Sequence, residues 1–171
     1  QLNFIDENRW VRLVRGLGIT LEVTFFALIL GVILGFLVAV VRSTYEQSPR
    51  KKTPGDYLLR FFNAICKIYI TIIRGTPTTI QLLIMYFVVF QSVKIDKVLV
   101  AVIAFGLNSG GYVAEIMRSG IMSLDKGQME AGRSLGLNYV QTMQHIVLPQ
   151  AFKNVLPALV NEFIVLLKET S

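Results

Sequence analysis

Three long apolar stretches dominate this sequence, and they leave few folds open. Residues 17–41 (LGITLEVTFFALILGVILGFLVAVV) carry one charge, Glu22. Residues 75–93 and 98–114 carry none. A helix crossing the hydrocarbon core of a bilayer needs roughly 17–25 residues of this kind, and each stretch reaches that length. A fourth, shorter apolar block at 154–167 contains Glu162 and is interrupted by Pro157. Hydrophobic residues make up 53% of the 171 and charged residues 16%, where soluble domains run near a quarter charged. The pattern predicts an all-α, polytopic membrane helical bundle, with spans at about 17–41, 68–93, 98–117 and 152–168. The first block is too long for a secretory signal, and further spans follow it.

The net charge of +6 has an ordinary membrane origin, because Lys and Arg gather in cytoplasmic loops. Ten basic residues lie at 42–67 and 118–153, against five at 9–15 and 94–97. That places the N-terminus outside and the loops 42–63 and 118–150 inside. The basic run Arg50–Lys52 suits contact with anionic lipid, and Trp10 suits the interfacial aromatic belt. Nothing in the arrangement calls for nucleic acid.

Within the first span, Ala27, Gly31, Gly35 and Ala39 recur every four residues and so share one helix face. In lipid, close backbone approach is a main source of helix association, so this face is expected to meet another helix. The segment 61–93 is interrupted at Arg74-Gly75-Thr76-Pro77. Proline lacks a donor and disfavours helix in the residue before it. Two readings follow: a break facing a translocation path, or a helix over 61–73 lying at the cytoplasmic surface with the span starting near Gly75. Residues 91–97 form a short outer turn.

Asn108, Tyr112 and Glu115 fall on one face of the third span, and Arg118 lies within ion-pair reach of Glu115. Polar groups in a span face the bundle or a wet cavity. With Asn161 and Glu162, these are the candidates for the substrate path; the competing role is helix packing. Carboxylates there favour a cationic solute. The stretch 119–150 is too polar to span. It reads as two short helices, 126–135 and 138–147, separated at Gly136, with Leu148-Pro149 opening the next span. The sole histidine, His145, has no clustered Cys, Asp or Glu, so no metal site is expected. No phosphate-binding Gly-x4-Gly-Lys-Ser/Thr loop occurs, so any ATP is bound by a partner. No nucleophile–base pair is readable, which argues against an enzyme.

The spacing Glu130-Ala131-Gly132-x3-Gly136-x9-Ile146-x-Leu148-Pro149 resembles the EAA loop of bacterial ABC importer permeases, with glycine at the position of the second alanine. Gly16-x3-Thr20-Leu21, Arg74-Gly75-Thr76-Pro77, Gly111-Tyr112-x-Ala114-Glu115-x2-Arg118 and Asn161-Glu162-Phe163-x3-Leu167-Lys168-x-Thr170-Ser171 resemble its polar amino acid branch. The resemblance implies a MetI-like fold of five core spans in a multi-pass bacterial inner-membrane protein. It implies pairing with a second permease copy or paralogue, two cytoplasmic ATP-binding subunits and an extracytoplasmic solute-binding protein. It assigns Glu130, Ala131, Gly132, Gly136, Ile146, Leu148 and Pro149 to coupling with the ATPase. In that family the Lys-x-Thr-Ser stretch precedes a further span. The chain ends at Ser171, so it is expected to be truncated before its last span. The alternatives are a carrier driven by an ion gradient, for which the loop has no role, or an ABC permease for another small solute such as a peptide or methionine.

Overall fold

In the computed structural model, which describes residues 9–47 and 54–171, the chain is a bundle of α-helices. The basic run Arg50–Lys52 lies outside the described residues. The first helix, α1 (Arg9–Gln47), has 39 residues and contains the whole of the first apolar block. At 1.5 Å per residue it is roughly 58 Å long, longer than a hydrocarbon core of about 30 Å, with Arg42 and Glu46 near its C-terminal end. The helix α2 (Pro54–Gly75) stops where the sequence places Pro77. The next helix, α3 (Thr78–Ile84), continues through one wide π turn at Met85–Val89. The axes of α2 and this second piece differ by 109°. The region expected to span at 68–93 is therefore not one straight helix. Its break turns the chain through more than a right angle.

After a short turn, Asp96 caps α4 (Lys97–Met122), its side chain accepting from the Val98 amide at 2.7 Å. Among the described residues three helical stretches are long and apolar enough to cross a membrane, or four with the bent pair taken as one.

The α1–α4 seam is the principal contact of the bundle, and the four-residue stripe of α1 forms it. Ala27, Gly31, Gly35 and Ala39 are all buried. Gly31 faces Ser109 and Gly110, and Gly35 faces Val113 and Ala114. A Cβ added at Gly35 would lie 2.6 Å from Val113 and 2.8 Å from the main-chain nitrogen of Ala114. The two backbones thus approach as closely as small residues permit, the arrangement that stabilises helix pairs where water cannot drive them together.

The last helix, α7 (Leu148–Thr170), runs unbroken through Pro157. The proline that interrupts the apolar block thus lies inside one helix, as a span over 152–168 requires. Proline removes its own amide from the ladder and crowds the carbonyl four residues before it, a local cost that membrane-type helices tolerate, and Pro157 sits on an exposed face of α7. One end of α7 packs Leu166 against Val23, Ala27 and Phe105. Nearer its start, Val155 joins Ala39, Val113 and Met117. Thr24 donates to the Thr20 carbonyl and also meets the Thr170 hydroxyl at 2.7 Å, tying α1 to the end of α7.

Candidate functional site

Between α4 and α7 the chain folds a compact loop. Asp125 caps α5 (Lys126–Ser134) by accepting from the Gly127 amide at 2.8 Å. The helix ends at a glycine with positive φ, Gly136 at 84°. There the Leu137 amide reaches back to the Gly132 carbonyl and the Gly136 amide to the Arg133 carbonyl. This pair of bonds is the Schellman stop, and it favours glycine at the turning residue. Two residues on, Asn138 and Gln141 bond reciprocally as a capping box and start α6 (Tyr139–Thr142). A π turn at Met143–Val147 then joins α6 to α7 without a gap. The second loop helix expected at 138–147 is therefore the beginning of one continuous helical rod, with Pro149 in the first turn of α7.

The seven residues assigned to coupling divide into two groups. Glu130, Ala131, Gly136 and Pro149 are exposed. Gly132 is buried, and a Cβ there would run into the Thr142 methyl group and 3.1 Å from the Ile146 Cδ1. Gly132 and Ile146 thus hold α5 against the rod. Leu148 packs beside Ile121, Val147 and Ala151 at the base of the loop. The glycine found where an alanine is usual is accounted for: Thr142 already fills that space. Leu135, 79% exposed at the tip, was not among the sequence candidates. Its place one residue before the turning glycine was the available signal.

At the loop end of α1 and α4 four charges close a ring. Arg118 pairs with Glu115 and, at 3.1 Å, with Glu46. Arg42 lies 3.5 Å from Glu115 and 3.5 Å from Glu46. The Glu115–Arg118 pair was legible in the sequence; the α1 half of the ring, Arg42 and Glu46, was not.

The substrate-path candidates do not form one constellation. Asn108 is buried and donates from Nδ2 to Gln81 Oε1 at 3.1 Å. Gln81 Nε2 in turn reaches the Ile73 carbonyl at 2.7 Å and the Thr76 carbonyl at 3.1 Å. These carbonyls are left open by the break, so Gln81 closes it and Asn108 holds Gln81. Glu162, only 8% exposed, accepts from Ser109 at 2.9 Å between α7 and α4. Asn161 points from an exposed face of α7. Tyr112 and Glu115 instead line an open cleft of about 390 Å³ between α2, α4 and α7, shared with Arg74, Ser119, Ser123 and Asn154. The Arg74 guanidinium lies over the Tyr112 ring, 5.4 Å from its centroid.

The family model for the inner membrane component of binding-protein-dependent transport systems matches residues 56–171. The chain belongs to this family. The permease is 41% identical over 162 residues to the arginine transport system permease protein ArtQ of Bacillus subtilis (strain 168), covering 93% of this chain and 68% of that one. It is 39% identical over 161 residues to a putative glutamine transport system permease protein GlnP of Rickettsia typhi, with the same coverage. A crystal structure of an amino acid ABC transporter with histidines superposes at a TM-score of 0.80 and 38% identity, covering 99% of this chain and 74% of that one. The permease is therefore a multi-pass inner-membrane transport component with a MetI-like all-α fold. Its family works with an ATP-binding subunit and a solute-binding protein.

Proposed function

We infer that this permease moves a polar amino acid into the cytoplasm, driven by a partner ATPase that grips the loop 119–150. The observation that carries the reading is the build of that loop. It is a short helix with both ends capped, locked against the start of α7 by Gly132, and it presents Glu130, Ala131, Leu135 and Gly136 outward. A surface so rigidly joined to α4 and α7 transmits motion rather than absorbing it. Displacing α5 displaces α7 through the packing of Gly132 on Thr142 and Ile146, because the rod that carries those two residues runs into α7 without a gap.

The substrate class rests on the similarity to arginine and glutamine permeases. The place of Tyr112 and Glu115 in the cleft lining supports them as substrate-path residues. The buried hydrogen bonds of Asn108 and Glu162 support positioning roles instead: Asn108 at the break, Glu162 between α4 and α7. The loop 119–150 faces the cytoplasm, with spans near 17–41, 98–117 and 152–168 and a bent span through the break. The exposed apolar faces, such as Phe25, Phe26 and Ile33 of α1, meet lipid and the second permease copy or paralogue of a dimer. Asn161, on an exposed face, lies outside the cleft.

Co-purification tests this reading. The full-length permease is expected to retain its ATP-binding subunit. Glu130→Ala and Gly136→Asp are expected to lose it while still inserting and folding. Failure of wild-type permease to hold any ATP-binding subunit refutes the reading.

A further inference from the structure

The buried face of α1 does not stop with the apolar block. Ser43 stands four residues beyond Ala39, in phase with the small-residue stripe, and is 1% exposed. Around it the helix end is held on two sides. With about 100° of turn per residue, Arg42 and Glu46 lie on one flank of Ser43 and Thr44 lies on the other. On the first flank Glu46 reaches Arg118 at 3.1 Å and Arg42 reaches Glu115 at 3.5 Å, both on α4. An isolated ion pair near the surface holds little, but four charges closed across two helices fix one relative position. On the second flank the Thr44 side chain shares a hydrogen bond with Tyr139. Tyr139 is the first residue of α6, directly after the capping residue Asn138. The end of α1 is thus wedged between α4 and the 119–150 loop.

The same short helix faces α5. Thr142, three residues after Tyr139 and so its neighbour on the helix surface, fills the space beside Gly132. A push on α5 therefore reaches α6 at Thr142 and can leave it at Tyr139 as well as through α7. We propose that Tyr139 passes the movement of the loop to α1 through Thr44, and that the charge ring makes α1 and α4 turn together. This rests on the ATP-driven reading above and adds to it a second route, through the first helix, beside the one through α7. The plainer role of the Tyr139–Thr44 bond is a static brace for the loop. Loss of a brace weakens folding or assembly; it leaves the ATP used per solute carried as it was.

The test uses proteoliposomes holding the full-length permease with its ATP-binding subunit, supplied with the solute-binding protein and L-arginine or L-glutamine. ATP hydrolysis and uptake are measured on the same preparation, and their ratio is the readout. Tyr139→Phe and Thr44→Val each remove one hydroxyl at nearly constant shape. Each is expected to keep the ATP-binding subunit and to raise the ATP used per amino acid carried by about three- to ten-fold, the equilibrium factor of one neutral hydrogen bond. The double variant is expected to match the single ones, because all three lose the same bond. Glu46→Gln, which takes the α1 carboxylate out of the ring, is expected to shift the ratio in the same direction. Hydrolysis and uptake that fall together at constant ratio in Tyr139→Phe overturn the proposal in favour of the brace, and additive effects in the double variant overturn it too. If the wild type carries no amino acid in response to ATP, the ATP-driven reading falls and this proposal with it. If the wild type is coupled and both single variants are coupled equally well, only the route through α1 falls.

Discussion

Replacing Gly35 with alanine adds one methyl group to the tightest part of the α1–α4 seam. The new Cβ would sit 2.6 Å from Val113 Cβ and Cγ1 and 2.8 Å from the Ala114 nitrogen, where ordinary contact begins at 3.4 Å. The helices must therefore part by roughly 0.8 Å, since one obstacle is main chain and cannot rotate away. A gap of ~0.5–1 Å forfeits about a quarter to a half of each dispersion contact nearby. Overpacked sites of this kind cost about 1–3 kcal/mol, and the main-chain obstacle places Gly35→Ala near the upper end. Alanine's better helix propensity returns at most ~1 kcal/mol. Gly18→Ala is the matched control: it lies on the same helix, and nothing stands within 4 Å of its added Cβ. It is expected to be neutral or slightly stabilising. Thermal unfolding in detergent can be followed with a thiol-reactive fluorophore at Cys66, the one cysteine of the sequence. Gly35→Ala is expected to unfold at clearly lower temperature than wild type, and Gly18→Ala is not. Equal stability of the two variants refutes the close-seam argument.

Two further predictions follow from the same reasoning. Gly132→Ala is expected to weaken the hold of α5 on the rod by about 1–3 kcal/mol and to reduce co-purification of the ATP-binding subunit. Adding Thr142→Ser, which removes the obstructing methyl group, is expected to restore part of both; additive losses in the double variant contradict the packing explanation. Gln81→Leu strips the hydrogen bonds from the Ile73 and Thr76 carbonyls and leaves Asn108 without its acceptor. An unsatisfied buried polar group costs ~1–3 kcal/mol, so the variant is expected to unfold earlier and to open the break to proteolysis between α2 and α3. Wild-type resistance there refutes the clamp.

Much of this architecture was legible because it depends on local spacing. A four-residue stripe of small residues needs only helical geometry to share a face, and burial of Ala27, Gly31, Gly35 and Ala39 followed. The partner, α4, lies far along the chain, Gly31 facing Ser109 and Gly35 facing Val113, and was not readable. The same limit hid the charge ring, whose Arg42–Glu46 half stands on α1 and whose Glu115–Arg118 half stands on α4. Pro77 announced a break, but the 109° turn and the closing role of Gln81 come from packing on Asn108. Pro157 interrupts the apolar block in sequence but lies within the single helix α7. The loop showed its stop at Gly136, and the pairing of Asn138 with Gln141 was open to reading as a helix start. The fit of Gly132 against Thr142 was not, since size at one position has meaning only beside the residue it faces. Helical phase put Asn108, Tyr112 and Glu115 on one side of α4. Packing then assigned the first to the break and left the other two to the cleft.

The central claim is that solute movement through this chain is driven by ATP through the 119–150 loop. Its most direct test is uptake of L-arginine and L-glutamine into proteoliposomes holding the full-length permease with its ATP-binding subunit, ATP enclosed and the solute-binding protein outside. Uptake of at least one amino acid is expected only when ATP and the binding protein are both present, and it is expected to collapse in Glu130→Ala. Uptake that persists without ATP and follows an imposed ion gradient contradicts the account.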